Sequence, residues 1–434
     1  TACVTTPSTP PPAGHPPRSM PFAALGLSSA LARAAGEAGF AVPTPIQAQA
    51  IPAVLRGADV LASARTGSGK TGAFVLPLLQ MLQDTPVHTP RRVRALVLVP
   101  TRELAGQVGE VVRSLAQHLP QPTKVAVLFG GVSVNPQMMG LRGGADVVVA
   151  TPGRLLDLAD HNAVKLASVG LLVLDEADRL LDLGFADELA RVLALLPPKR
   201  QTLFFSATFP PDVQVLANTL LQAPLRIEVT HSADNDAVIL QRVIQVDPVR
   251  RTELLRHLIK DQAWDRALVF VATQYAAQHV AWKLYKNGVF ATPFHGGMSQ
   301  GARTQVLDEF RKGQWDVVVT TDLASRGIDI AQLPVVLNYD LPRSAVDYVH
   351  RIGRTGRAGE GGLAVSFVSA ATEAHFALIE KRQGLSLPRE QIAGFEPIDT
   401  AAPVDLAPVP GTGGIKGKRP SKKDKLRAAA AGGA

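Results

Sequence analysis

Short runs of Val, Leu, Ala and Phe recur along this chain, and they are continuous rather than alternating. In the first half they are Asp59–Ala62, Ala95–Val99, Val125–Phe129, Asp146–Ala150, Leu171–Leu174 and Thr202–Phe205. In the second half they are Ala267–Val271, Phe290–Phe294, Asp316–Thr320, Val335–Tyr339 and Leu363–Val368. An alternating run leaves one sheet face to solvent. A continuous run means that both faces are covered, which calls for parallel strands joined by crossover helices. The fold class expected is therefore α/β with parallel sheets. At 434 residues the chain exceeds what one hydrophobic core holds, so two such units are expected.

The polar stretch Val229–Ala237 (VTHSADNDA) marks the join. The organisation that follows is a disordered Pro- and Thr-rich extension over 1–19, a first domain over 20–229 and a linker over 230–238. A second domain over 239–383 and a low-complexity basic tail over 384–434 complete it. Residues 1–19 have no apolar stretch and do not read as a secretory signal. The chain does not begin with Met, and a continuation upstream is expected. No apolar run approaches the roughly 18–20 residues of a membrane span. Cys3 is the only cysteine, which excludes an internal disulfide and a cysteine zinc site and fits a cytoplasmic setting.

The net charge is +8, and its location matters more than its size. Residues 416–434 carry Lys416, Lys418, Arg419, Lys422, Lys423, Lys425 and Arg427 against Asp424, so +6 lies in the tail and +2 in residues 1–415. Any polyanion site in the body must be a local groove built from a few residues.

In open parallel sheets, ligands bind beyond the carboxyl ends of the strands, and the unusual sequences here sit at such ends. Ala64-Arg-Thr-Gly-Ser-Gly-Lys-Thr71 follows the first run as a phosphate loop. Its Ala64, Thr66, Gly67, Ser68 and Gly69 would wrap phosphates at a helix N-terminus, with Lys70 on the β- and γ-phosphates and the Thr71 hydroxyl on Mg2+. Asp175-Glu-Ala-Asp178 ends the run Leu171–Leu174, where Asp175 can hold the ion through water and Glu176 can orient or deprotonate an attacking water. Gln47, in GFAVPTPIQ, has a carboxamide able to pair with N6 and N7 of adenine. Phe40 could stack on that ring or pack in the core, and both readings stand.

Together these residues resemble the DEAD-box RNA helicases of helicase superfamily 2, from Phe22 to about Arg382, with the motifs in family order. Residues 130–144, Asn162–Leu166 and Ser299–Arg303 look closest to the bacterial RhlE branch. The resemblance implies two tandem RecA-like domains, ATP and Mg2+ as cofactors, and RNA as partner. It would place Thr101, Arg102, Gly130, Gly131, Thr151, Gly153 and Arg154 along an RNA backbone groove in the first domain. Thr273, Gln300, Arg303 and Thr321 would line it in the second, although a strand-end cap is an equal reading of Thr273. Asp178, Ser206, Thr208 and His350 would couple hydrolysis to closure. Asp329 would bind the ribose, with Arg354 and Arg357 as arginine fingers. Arg65 departs from the usual Gln or Glu, and Val269–Thr273 lacks a basic residue that the RhlE branch often carries. Glycine pairs and hydroxyls suit sequence-independent backbone contact. Aromatics are 5% of the chain and none falls inside the groove motifs, so extensive base stacking is not expected.

A DNA helicase or translocase would share the ATPase core, and comparing RNA with DNA stimulation separates it. An ATP-gated RNA clamp would use the same residues, and duplex release per ATP separates that. The charge distribution makes its own prediction. Deleting residues 416–434 should weaken RNA binding at low salt and flatten the slope of log K against log[salt], since fewer counterions are released. Titrations of both forms across salt check it, and equal slopes would assign the tail to solubility alone.

Overall fold

The structure is a computed structural model that describes residues 22–63, 68–228, 239–325, 333–356 and 361–398. Fourteen strands form two sheets among these residues. In the first domain they are β1 (Val60–Ser63), β2 (Ala95–Leu98), β3 (Val125–Leu128), β4 (Val147–Ala150), β5 (Leu171–Leu174), β6 (Gln201–Ser206) and β7 (Leu225–Glu228). In the second they are β8 (Ile239–Gln245), β9 (Ala267–Phe270), β10 (Ala291–Phe294), β11 (Val317–Thr320), β12 (Val335–Asn338), β13 (Gly362–Val368) and β14 (Arg389–Glu390). Every pairing is parallel. The orders are β3-β4-β2-β5-β6-β1-β7 and β10-β11-β9-β12-β13-β8-β14. The second order is the first repeated, so the two halves share one topology.

Continuous runs do bury both faces. On β5, Leu171 and Val173 enter one core cluster while Leu172 and Leu174 enter the cluster on the opposite face. On β2, Ala95 and Val97 divide from Leu96 and Leu98 in the same way. The eleven runs read from the sequence all coincide with strands. Those not anticipated are β7, β8 and β14. Of β7 only Ile227 is buried, and β8 mixes Gln241 and Arg242 with its apolar residues, so neither shows a continuous run.

The expected end of the second domain at residue 383 needs correction. Residues 384–398 fold back along the sheet edge rather than belonging to a low-complexity tail. Glu390 of β14 pairs with Arg242 at 2.6 Å, and Arg389 bridges Glu373 and Glu380, each at 2.7 Å. Ile392 and Phe395 pack on the second-domain core, and the Arg250 guanidinium lies 4.8 Å from the Phe395 ring centre. The segment is polar enough to read as tail, yet its few apolar side chains meet a core that was otherwise open at one edge. The expected extension 1–19, residues 20, 21 and 229 of the expected first domain, the whole linker 230–238 and the tail beyond 398 lie outside the described residues.

A chain ending at Pro388 should therefore melt roughly 4–10 °C below one ending at Ile398, because about 2–3 kcal/mol of apolar burial and ion pairing is lost. Thermal unfolding of the two forms checks this, and equal midpoints would show that residues 389–398 add nothing.

Candidate functional site: a nucleotide edge, a domain interface and a polyanion cleft

The strand order sorts the motifs into two groups. The phosphate loop, the DEAD sequence and the Ser206-Ala-Thr208 sequence follow β1, β5 and β6, which are neighbours in the order β5-β6-β1. The groove motifs follow β2, β3 and β4, which are neighbours in the order β3-β4-β2. The second domain repeats the division: Thr273, His295-Gly296 and Thr321 follow β9, β10 and β11 on one half of its sheet.

On the first half, Lys70 opens the helix Lys70–Gln83 and is buried beside Asp175. Gly69 precedes it at φ 92°, a conformation that a side chain would strain. Thr71 is half-buried in the first turn. The Ser68 hydroxyl is buried without a protein partner. Ala64, Thr66 and Gly67 lie outside the described residues. Burial pushes the Asp175 carboxyl up to about 6, against the pull of the Lys70 ammonium. Glu176 donates its backbone N–H to Asp175 Oδ1 at 3.0 Å and adopts φ 51°, ψ 52°. This left-handed conformation costs a residue other than glycine about 1 kcal/mol or more.

Gln47 is buried and ties into this loop. Its Oε1 accepts from the Thr44 N–H at 3.0 Å and its Nε2 donates to the Gly69 carbonyl at 3.0 Å. Each end keeps one further hydrogen-bonding position, so adenine pairing is compatible with these bonds. A Cβ on Gly72 would lie 2.6 Å from Gln47 Nε2 and 3.1 Å from Phe40 Cε1. Gly72 is thus what lets Gln47 and Phe40 rest on the helix. Phe40 also meets Phe22 edge to face at 6.4 Å, so it belongs to the edge of the core and to the nucleotide edge alike.

The domains meet above Glu176. Asp178 Oδ2 accepts from the Thr208 N–H at 3.0 Å and its hydroxyl at 2.7 Å, while the Ser206 hydroxyl donates to the Thr208 carbonyl at 2.7 Å. The link onward to His350 passes through Arg179, a residue the motif reading did not single out. Arg179 is 4% exposed, pairs with Asp347 at 3.1 Å and donates to His350 Nδ1. Burial and the Arg179 guanidinium hold His350 well below the usual imidazole range, so it is neutral. A cavity of about 20 Å³, lined by Glu176 from one domain and His350 and Arg354 from the other, closes the interface. That is room for about one water. Arg351 and Asp322 also line this cavity and are paired, with the guanidinium on the carboxylate at 2.5 and 2.7 Å. Asp329 and Arg357 lie outside the described residues.

On the other half, a cleft of about 690 Å³ runs between the domains. Thr101, Arg102, Gly130, Gly131, Thr151, Gly153 and Arg154 line its first-domain wall. Thr101 also caps the helix Arg102–Ala116, accepting from the Leu104 N–H at 3.3 Å. Gly131 sits at φ 78° with the Arg102 guanidinium where a Cβ would be, and Arg154 is held by the Val132 carbonyl at 2.7 Å. From the second domain come Gln274, Gly296 and Arg303. Thr273 is exposed beside Gln274 and caps the helix Gln274–Lys286 through the Ala276 N–H at 3.1 Å. Thr321 is buried. Arg303 lines the cleft floor with its charge committed: it pairs across the interface with Glu103 at 2.8 Å, both side chains under 8% exposed. Gln300 reaches the same carboxylate at 3.5 Å. Glu103, like Arg179, carried no signal in the sequence beyond its place in a motif.

Two parallel sheets of one topology, with a phosphate-loop sequence following the strand Val60–Ser63, define a two-domain nucleotide-dependent enzyme. The family profile described as DEAD/DEAH box helicase matches residues 44–216, and that described as helicase conserved C-terminal domain matches 250–359. The chain is 41% identical over 350 residues to the ATP-dependent rRNA helicase rrp3 of Sclerotinia sclerotiorum, covering 80% of this chain and 71% of that protein. It is 38% identical over 385 residues to DEAD-box ATP-dependent RNA helicase 28 of Oryza sativa, spanning 88% of this chain but only 48% of the rice protein. The chain belongs to the DEAD-box ATP-dependent RNA helicases. Among solved structures, S. cerevisiae Dbp5 bound to RNA and ADP BeF3 superposes with a TM-score of 0.76 at 31% identity, over 85% of this chain and 95% of that one. A Dbp5 variant bound to Nup159, Gle1, IP6 and ADP gives 0.58. The arrangement of domains here is thus nearer to the form of Dbp5 that holds RNA and ADP BeF3.

The Gly72 contacts predict that Gly72→Ala displaces Gln47 and raises the KM for ATP roughly tenfold, a loss of about 1.4 kcal/mol. Steady-state ATPase assays with a melting curve check this, and an unchanged KM would separate Gln47 from the nucleotide edge.

Proposed function

We propose that this chain is an RNA-stimulated ATPase that grips the backbone of single-stranded RNA without reading sequence and opens short duplexes by closing its two domains. The observation that carries the reading is the shared cavity: Glu176 and Arg354, from different domains, meet only when the domains are together. Thr101, Arg102, Gly130, Gly131, Thr151, Gly153 and Arg154, with Thr273, Gln300, Arg303 and Thr321, form the RNA side. Arg303 acts there through its Glu103 pair, as a clasp under the strand.

ATP is bound by Gln47 and the phosphate loop, with Asp329 on the ribose. The Mg2+ site fits the residues present. Among the described residues no cluster of three His, Cys, Asp or Glu could cage an ion by protein ligands alone. A magnesium ion that keeps its waters and takes phosphate oxygens needs only Thr71 and the buried Asp175. When bound, it would neutralise charge on the phosphates. Glu176 orients the attacking water, and Arg354, with Arg357, delivers guanidinium charge on closure. Asp178, Ser206, Thr208 and His350, with Arg179 between them, make the state of one edge felt at the other. We further place the chain in the RhlE branch, on the strength of residues 130–144 and Ser299–Arg303. A cytoplasmic setting rests on its single cysteine.

Arg354→Ala should leave ATP affinity without RNA nearly unchanged and lower RNA-stimulated turnover by roughly 10³-fold. Lysine should rescue poorly, because a point charge cannot reproduce the planar fork. Turnover and melting temperature belong on one preparation. A stable variant with undiminished stimulation would remove Arg354 from the chemistry and closure from the mechanism.

A further inference from the structure

Exposed aromatic side chains are concentrated in one place. Among the described residues the large exposed aromatics are Tyr275, Trp282, Tyr285 and Phe290, at 73%, 53%, 57% and 60% exposure, and all lie on the helix Gln274–Lys286 or just after it. Three rings on that helix form a ladder. Tyr275 stacks on His279 with centres 5.7 Å apart and planes 11° apart, and His279 stacks on Trp282 at 6.4 Å and 22°. The Lys286 ammonium lies 4.1 Å from the Trp282 ring centre. The spacing 275, 279, 282, 286 is one face of a helix. Folding does not require this face: Ala277, Val280, Ala281 and Leu284 supply the buried side.

We propose that this ladder is an accessory single-stranded RNA platform, extending the cleft outward along the second domain. It rests on the reading of the cleft as an RNA groove. Two observations select RNA as the occupant. The helix begins in the cleft, where Gln274 lines the wall and Thr273 caps the first turn, so a strand leaving the groove meets Tyr275 next. The helix also carries Lys283 and Lys286 and no acidic residue, which suits a polyanion. Bases stack on aromatic faces regardless of sequence, in keeping with backbone grip in the groove itself. From Tyr275 to Lys286 the face is about 16 Å long, enough for roughly four or five nucleotides laid along the ladder, with a base stacking first on the outer face of Tyr275.

The test uses the full chain and two single-stranded RNAs, one short enough to be held by the cleft and one longer by about four nucleotides at each end. The wild type should bind the longer strand at least tenfold more tightly. In Tyr275→Ala/Trp282→Ala that gain should vanish, while affinity for the short strand and its stimulation of ATPase stay the same. Tyr275→Phe/Trp282→Phe should restore the gain. A gain retained by the alanine variant would overturn the proposal and leave the face to a protein partner, as would a wild type indifferent to length. Loss of the gain in the phenylalanine variant would overturn stacking as its cause. Failure of the short strand to stimulate even the wild type would instead overturn the reading of the cleft.

Discussion

Two buried arginines hold the domains in register, and each finds its partner in the other domain. Arg179 reaches Asp347 and His350 on the nucleotide half, and Arg303 reaches Glu103 on the cleft half. Removing a guanidinium and a carboxylate from water costs several kcal/mol, and their attraction roughly repays that cost without adding much. Such pairs fix geometry better than they supply stability. In the proposed mechanism such pairs leave the balance of closure to a ligand that binds the closed arrangement better. One pair lies on each half, so a single closed arrangement carries both, which is the physical content of the proposed coupling between the two sites.

The parallel sheet explains why the two sites lie so close without overlapping. Loops that follow β5, β6 and β1 form one half of the carboxyl edge, and loops that follow β3, β4 and β2 form the other. Asp178 follows β5 in the first turn of the helix Ala177–Asp182, next to the boundary between the halves, and is fastened to Thr208, which follows β6. These bonds tie the ends of the adjacent strands β5 and β6 to each other beside the domain interface.

Much of this was legible in the sequence, because a parallel strand buried on both faces leaves a continuous apolar run and a motif at its end. The eleven strands read that way are present, and most motifs follow their carboxyl ends, whereas Gln47 and His350 sit on helices. What escaped notice has a common cause. Arg179 and Glu103 look like ordinary charges on helices until the other domain is placed against them. β14 has two polar residues and is a strand only because β8 offers an edge. The bonds of Gln47 to Thr44 and Gly69 depend on a glycine at 72, whose meaning is a distance. The aromatic ladder is different. Its helical spacing was present in the sequence, but a low aromatic content overall concealed how unevenly the rings are placed.

The strain at Glu176 fits a site that is completed late. A left-handed φ at a glutamate persists only where neighbours over-determine it, here the Asp175 carboxylate ahead and the helix Ala177–Asp182 behind. The strained residue stands at the mouth of a cavity whose other wall belongs to the second domain. With the domains apart that wall is missing, and a water beside Glu176 would exchange with bulk. With them together the space admits about one water and faces Arg354. On the proposed mechanism hydrolysis is then confined to the closed form, which is also the form that shapes the cleft. A single closure can distort only the few base pairs that the cleft spans, so the geometry favours local opening of a duplex over travel along it.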